Sequence, residues 1–215
     1  MFTGIIEETG RIDTLRTGIP GAMIEISAES TPARLKAGDS IAVNGVCLTV
    51  VSANDKMFRC ELSAETICRT SFERVREGSI VNLERPLTIG SPLGGHFVLG
   101  HVDGVGRLLS ARANGTGAEM SFRFPHELER YLVFKGSIAV DGISLTIASL
   151  SEDSFSVAVI PHSLQNTNLK NLRAGDPVNL EADLLGKYFE RFYQLGLLEG
   201  RNSRISVDYL KEQGF

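Results

Sequence analysis

The sequence has no apolar run approaching the roughly 18 residues that a spanning helix needs. Its first residues, Met1-Phe2-Thr3-Gly4-Ile5-Ile6-Glu7-Glu8, show no basic stretch followed by an apolar one. Neither a membrane span nor a secretory signal is expected, and the chain is expected to work in the cytoplasm. A basic excess is missing too: 22 Lys and Arg stand against 26 Asp and Glu, a net charge of −4. That balance gives no electrostatic reason to expect nucleic acid or an anionic membrane as partner. Cysteine is scarce and odd in number. Cys47, Cys60 and Cys68 lie 13 and 8 residues apart, which makes neither a disulfide framework nor a C-x-x-C motif, so they are read as free thiols. A Walker-type loop is absent, and Gly104-Val105-Gly106 misses the third glycine of a dinucleotide fingerprint. Nucleotide phosphates are not the expected target.

What the chain does have is 42% hydrophobic residues and 22 glycines in 215 residues, the composition of a soluble globular protein. It is long enough for one large domain or two small ones. Sliding the sequence against itself chooses two. At an offset of 97, Ser40 to Val50 falls on Ser137 to Ile147 with seven identities in eleven, and Gly78 to Glu84 falls on Gly175 to Glu181 with five in seven. Near the start the offset is 96, pairing Gly4 with Gly100 and Gly10 with Gly106. Two homologous halves follow, joined by the Pro- and Gly-rich stretch at 86–97. A tail from about Leu184 lies outside the repeat. Its Tyr188, Phe189, Phe192, Leu195 and Leu198 follow the spacing of an amphipathic helix, which is expected to meet another subunit.

Within each half, short β-branched runs alternate with turn residues, and Asn44-Gly45 and Asp141-Gly142 are strong two-residue hairpin signals. Glu65 to Phe72 and Pro125 to Leu132 read as short helices or turns. Small closed β-barrels with helical insertions are expected. A two-residue turn fixes the register: Val43 opposes Val46, Ala42 opposes Cys47, Ile41 opposes Leu48 and Ser40 opposes Thr49. One face is then Ile41, Val43, Val46 and Leu48, destined for the core. The other is small and polar: Ser40, Ala42, Cys47 and Thr49. The second half repeats this, with Ile138, Val140, Ile143 and Leu145 inward and Ser137, Ala139, Ser144 and Thr146 on the other side. Hydroxyls on a strand are ordinarily just solvent-facing, but their repetition suggests two flat ligands of one kind, each lying against a ledge of small hydrogen-bonding groups.

The histidines allow a metal or an acid–base reading. His96 and His101, taken as strand residues five apart, would point to opposite faces, and no acidic or thiol cluster completes a coordination sphere, so no metal is expected. His101 is weighed as a proton carrier against a purely structural histidine. His126 and His162 lack a comparable setting, and Cys60 and Cys68 read as packing thiols.

Met-Phe-Thr-Gly-Ile-Ile at the start, Asn44 to Val50, Gly94-Gly95-His96 through Gly100-His101-Val102, and Lys135-Gly136 through Thr146 resemble the riboflavin synthase family over essentially the whole chain. The resemblance implies a mainly β protein of two tandem homologous Greek-key barrels, residues 1–97 and 98–185, and a C-terminal helix and tail, 186–215, that assembles a homotrimer. It implies a transferase in which one 6,7-dimethyl-8-ribityllumazine gives four carbons to another, yielding riboflavin and 5-amino-6-ribitylaminouracil, with no cofactor or metal. An association with lumazine synthase is a further partner it raises. By the same resemblance, Cys47, Leu48, Thr49, Glu61, Leu62, Ser63, Ala64, Glu65, Thr66, Gly100, His101 and Val102 line one site. Gly4, Ile5, Ile6, Ser144, Leu145, Thr146, Val159, Ile160, Pro161, His162, Ser163 and Leu164 line the other, and Lys135 reaches a neighbouring subunit. The catalytic set expected on these grounds is Ser40 and Cys47 holding a nucleophile, His101 moving protons, and Ser144 with Thr146 polarising the donor ring. His162-Ser163 departs from the family's usual acidic residue followed by Thr, which Glu65-Thr66 keeps. The alternative is a non-catalytic lumazine- or flavin-binding protein of the same fold, and a third reading is a purely structural repeat protein.

Overall fold

The computed structural model of the chain describes residues 1–18 and 21–197, with Lys211 and Gln213; Leu198 and most of the expected tail lie outside the described residues. Two closed, antiparallel, six-stranded barrels make up the body. The first comprises β1 (Glu8–Thr17), β2 (Gly21–Ser27), β3 (Ser40–Val43), β4 (Val46–Ala53), β5 (Met57–Ser63) and β6 (Ile80–Glu84), in the order β1-β2-β5-β4-β3-β6. The second comprises β7 (Gly104–Asn114), β8 (Gly117–Arg123), β9 (Ser137–Val140), β10 (Ile143–Leu150), β11 (Ser154–Val159) and β12 (Pro177–Ala182), and repeats that order strand for strand. Closure leaves no sheet edge to aggregate.

Both hairpins take the expected register, from Ser40 opposite Thr49 to Val43 opposite Val46 and from Ser137 opposite Thr146 to Val140 opposite Ile143. The turns need left-handed backbone at both positions, and Asn44, Gly45, Asp141 and Gly142 supply it at φ 46°, 72°, 45° and 79°. Register slips recur at twin places, between Ile12 and Thr14 and between Leu108 and Ser110, and again in β4 and β10. Bulges of this kind bend strands enough to close a small barrel. The inward residues form one apolar core per barrel, centred on Phe58, Ile24, Ile41 and Leu83 in the first and on Phe122, Phe155, Met120 and Leu180 in the second.

Short helices decorate the barrels. α1 (Ala64–Arg69) and α2 (Pro161–Asn166) follow β5 and β11, and a 3-10 turn at His126–Tyr131 occupies the segment read as helix or turn. α3 (Leu184–Gln194) begins where Asp183 caps it by accepting from the Leu185 amide, and it ends at Gly196 with φ +67°.

Two expectations are corrected here. Cys68 is exposed rather than a packing thiol, because α1 turns it outward; Cys60 alone is in the core. The small face of the two hairpins is also not a bare ledge. Phe2 and Val98, paired across an isolated bridge, pack on Ala42 and Ala139 and bury both, so those alanines are small to admit an aromatic ring between the barrels.

Beneath that layer the two hairpin turns meet back to back. A Cβ on Gly45 would lie 2.6 Å from the Gly142 nitrogen, and one on Gly142 2.7 Å from the Gly45 nitrogen. The polar groups trapped there are satisfied crosswise. Asn82 Nδ2 donates to the Asp141 carbonyl at 2.9 Å, and its twin Asn179 Nδ2 donates to the Asn44 carbonyl at 2.8 Å. Asn168 adds a bond from Nδ2 to the Asp141 carboxylate at 2.8 Å, and the Asn179 amide donates to the same carboxylate at 2.8 Å. Burying such groups is tolerable only when each finds a partner.

Burial pushes the Asp141 carboxyl from its ordinary 3.8 up to about 7, against the pull of its bonds from Asn179 and Asn168. The folded chain therefore holds this proton more tightly than the unfolded one. The stability tied to Asp141 is full below its ordinary pKa and is lost as pH rises through about 7. Melting temperature is expected to fall as pH rises from about 4 to 7 and to level off above that, at roughly the slope that one to three protons give. Asp141→Asn, carrying the residue of its twin Asn44, should flatten part of that slope; Glu181, which burial also raises to about 7, and Glu84, which burial raises as well, keep the rest. Thermal melts across that range check this, and an unchanged slope in the variant would refute it.

Candidate functional site

β4 and α1 of the first barrel meet the start of the second half around a cavity of about 850 Å³. That lies within the size range of small-molecule sites. Its wall includes Val46, Cys47, Ser63, Glu65, Thr66, Cys68, Arg69, Thr70, Gly100, His101, Val102, Asp103, Pro125 and Glu127. Seven residues expected at the first site are brought together here: Cys47, Ser63, Glu65, Thr66, Gly100, His101 and Val102. The local reason is the end of β5. Ser63 stops the strand and caps α1, accepting from the Thr66 amide at 3.0 Å, with its hydroxyl 2.9 Å from the Thr66 hydroxyl. Two hydroxyls are thereby fixed at the cavity wall, opposite the Cys47 thiol and the exposed His101.

Other expected residues lie elsewhere. Leu48 and Leu62 are core side chains of the first barrel, and Leu145 and Val159 are core side chains of the second, because the inward face of a strand cannot also present its side chain to a ligand. Thr49, Glu61 and Ala64 are exposed and outside the cavity lining. Ser40 opens on a different cavity of about 520 Å³, among Arg34, Lys36, Asp39, Arg85 and Thr88. Sequence reasoning missed Cys68, Arg69, Thr70, Asp103, Pro125 and Glu127; the last three come from the second half, and nothing in the linear pattern places them beside Cys47.

In the second barrel, Ser144 occupies the place of Cys47. Its hydroxyl is 2.7 Å from His96 Nδ1, and its amide donates to the Gly4 carbonyl at 2.8 Å. His96 is buried in coil, not on a strand, and its Nε2 has no protein partner among the described residues. Burial holds the imidazole below its usual pKa, partly offset by Asp183, so the ring is neutral near pH 7 and either accepts the Ser144 proton or donates to its oxygen. This pairing spans 48 residues and was invisible in the sequence, where His96 entered only through the metal reading. Among the described residues no three His, Cys, Asp or Glu side chains are arranged to hold a metal ion.

Around Ser144, Ile5 and Thr146 are exposed and Ile6 packs on the barrel core; Pro161, Ser163 and Leu164 are half-buried, and Ile160 and His162 are exposed. α2 starts at Pro161 with no side-chain cap, where α1 has the Ser63 hydroxyl. The departure noted at His162-Ser163 thus coincides with a real difference: the first ledge offers two linked hydroxyls that the second lacks. Lys135 is exposed, with its ammonium 5.2 Å from the Phe134 ring, and holds a left-handed φ of 65° where its twin Gly38 has 91°.

A model of the family described as "Lumazine binding domain" matches residues 3–86 and again 99–183. Riboflavin synthase of Actinobacillus pleuropneumoniae is 40% identical over 215 residues, covering all of both chains. That of Bacillus amyloliquefaciens is 41% identical over 216 residues, again covering all of both. The chain belongs to the riboflavin synthase family. Its fold also matches the crystal structure of LumP complexed with riboflavin, with a TM-score of 0.79 and 26% identity over 85% of this chain and 99% of that one. For this riboflavin synthase family member, the repeat, the paired barrels and the twin Cys47 and Ser144 positions are one design used twice.

The lid over Cys47 gives a direct test of the first site. Gly100 has φ +78°, and a Cβ there would sit 2.6 Å from Cys47 Cβ and 2.8 Å from its nitrogen. Gly38, at φ +91°, has nothing within 4 Å of the same position. Gly38→Ala should therefore cost only backbone strain, about 1–2 kcal/mol, and Gly100→Ala should cost a further 1–3 kcal/mol or so from overlap. Urea midpoints of the two variants measure the difference; equal losses would mean that Gly100 does not press on Cys47.

Proposed function

We propose that the chain is a riboflavin synthase that takes two molecules of 6,7-dimethyl-8-ribityllumazine and transfers four carbons from one to the other, forming riboflavin and 5-amino-6-ribitylaminouracil. The observation that carries this is the twin arrangement of Cys47 beneath Gly100 and Ser144 beneath Gly4, one hydrogen-bonding ledge per barrel, at 2.9 and 2.8 Å from backbone to lid. A reaction between two like molecules asks for two like cradles. It is a dismutation, so atoms and electrons balance within the substrate pair.

Most of the rate is assigned to holding the two rings antiparallel so that carbanion and acceptor meet, since orientation can replace a large entropic barrier. Cys47 holds water or a hydroxyl nucleophile at the acceptor ring, His101 moves protons at the cavity mouth, and Ser144, backed by neutral His96, polarises the donor ring together with Thr146. Ser40 belongs to the same proposed set, although its hydroxyl opens on the cationic neighbouring cavity. Each barrel carries one ledge, and in the proposed assembly, a homotrimer, the productive pair forms where the first barrel of one subunit faces the second barrel of another.

α3 supports that assembly. Leu185, Tyr188, Phe189, Phe192 and Tyr193 stay largely exposed, Tyr193 at 70% and Phe189 at 59%. An apolar face of this kind marks an interface. The helix is held at a fixed angle by Lys187 to Asp103 at 2.7 Å and Arg130 to Glu190 at 3.0 Å. Lys135 keeps a left-handed backbone that favours glycine, and its proposed role is to reach the neighbouring subunit. No helix among the described residues is long and apolar enough to cross a membrane, and a cytoplasmic place, with lumazine synthase as an associated partner, belongs to the same reading.

The test is the protein mixed with 6,7-dimethyl-8-ribityllumazine: riboflavin absorbance and fluorescence should grow with time, whereas a static complex would make it a carrier and absence of binding would leave a structural repeat protein. His101→Ala should lower kcat by about 100-fold or more, the usual size of a positioned acid–base group, and Ser40→Ala, Cys47→Ala and Ser144→Ala belong in the series. Full turnover in all four, each folded, would refute the assignment. Lys135→Gly should hold stability or raise it by up to about 1 kcal/mol of relieved strain, read as an equal or higher melting temperature, while turnover drops. Sedimentation at assay concentration should return the mass of three chains, and a monomer with full turnover would end the shared-site reading.

A further inference from the structure

Each ledge is covered by a short backbone segment, and the residue that holds that segment sits in the opposite barrel. Glu84 ends β6 of the first barrel and is buried. Its carboxylate accepts from the Thr3 amide at 2.6 Å, the Thr3 hydroxyl at 2.7 Å and the Gly4 amide at 3.0 Å. The segment so fixed does not cover the first barrel. Its Gly4 carbonyl accepts from the Ser144 amide of the second barrel at 2.8 Å, and the Thr3 carbonyl accepts from the His96 amide at 3.1 Å. Glu181, in β12 of the second barrel, mirrors this. It accepts from the amides of Leu99 at 2.7 Å, Gly100 at 2.9 Å and His101 at 3.1 Å, and the Gly100 carbonyl accepts from the Cys47 amide of the first barrel at 2.9 Å.

We propose that Glu84 and Glu181 are crossed positioning residues: Glu84, from the first barrel, sets the lid over the Ser144 ledge of the second, and Glu181, from the second, sets the lid and the backbone of His101 over the Cys47 ledge of the first. The inference deepens the function proposed above by naming what holds its two sites in shape. A carboxylate is suited to the task because it is an acceptor on both oxygens, and three converging donors leave no place for an amide group. Glutamine at either position must turn an N–H toward one of those donors, which loosens the lid without removing bulk.

The crossing gives a signature that a merely structural role does not. Cys47 reports on the first ledge through its alkylation by iodoacetamide, resolved by peptide mass, with exposed Cys68 as the comparator and buried Cys60 as the check that the fold is intact. His96 reports on the second ledge through its titration by NMR, where it faces Ser144 and Asp183. Glu181→Gln should speed Cys47 labelling on the order of tenfold and leave His96 alone. Glu84→Gln should move His96 back toward an ordinary histidine and leave Cys47 alone. Thr3→Val, which removes only one of the three donors to Glu84, gives the same His96 response in smaller measure and keeps the test available should Glu84→Gln not fold. With Cys60 still protected, a variant that disturbs its own barrel, both barrels equally, or neither overturns the proposal. These readouts use no substrate, so they succeed or fail separately from the riboflavin synthase reading. Under that reading both Gln variants also lose kcat/KM, because both ledges serve one reaction.

Discussion

Everything in the molecule depends on two hairpin turns that touch. Asn44-Gly45 and Asp141-Gly142 approach so closely that a single added Cβ would collide with backbone at 2.6–2.7 Å. That contact sets how far apart the barrels sit, and every longer-range feature inherits its pseudo-twofold relation. Five buried polar side chains around it, Asn44, Asn82, Asp141, Asn168 and Asn179, must then be satisfied, and they are satisfied by exchange: each barrel's β6-type asparagine bonds the other barrel's turn. A half-satisfied version of such a network would be worse than an apolar one, so its completeness fixes one arrangement of the barrels. Phe2 and Val98 then have one seam to fill, and their neighbours Thr3-Gly4 and Leu99-Gly100 are delivered onto Ser144 and Cys47.

The route from that seam to chemistry is short. Cys47 and Ser144 lie two residues beyond Gly45 and Gly142, on the outward side of strands whose inward side is locked in a core. The backbone that carries a hydroxyl or thiol there can shift only if the barrel shifts. What varies between the halves is the surrounding equipment: linked Ser63 and Thr66 hydroxyls at one ledge, a buried neutral histidine on the serine at the other.

Much of this was legible in the sequence because it is local or repeated. Strand alternation, two Asn-Gly-type turns and an offset of 97 are enough to give both barrels and their register, which the backbone pairings reproduce from Ser40–Thr49 to Val43–Val46. The helix beginning at Leu184 followed from its 3.6-residue spacing. What escaped depends on contacts between distant segments. The covering of Ala42 and Ala139 by Phe2 and Val98, the His96–Ser144 pair and the entry of Asp103, Pro125 and Glu127 into the first cavity have no pattern in one dimension. Leu48, Leu62, Leu145 and Val159 have their side chains in the cores, so only their backbone can face a ligand: a motif names a stretch of chain, while a strand turns every second side chain inward. Ser40 shares a face with Cys47, yet it opens on another cavity because facing the same side of a sheet does not place two residues in one pocket.

The differences between the twins carry more information than their likeness. A duplicated barrel with identical ledges would hold two ligands in the same electronic state, and a reaction in which one molecule gives and the other receives needs them in different states. Replacement of a thiol by a serine bonded to histidine, loss of the hydroxyl cap at α2 and substitution of Gly38 by Lys135 all fall on the second half's side of the pair. Lys135 keeps its strained backbone, which glycine would relieve, so selection on stability alone does not account for it. The duplication supplied two cradles related by near symmetry, and the departures from symmetry cluster where a donor and an acceptor have to be told apart.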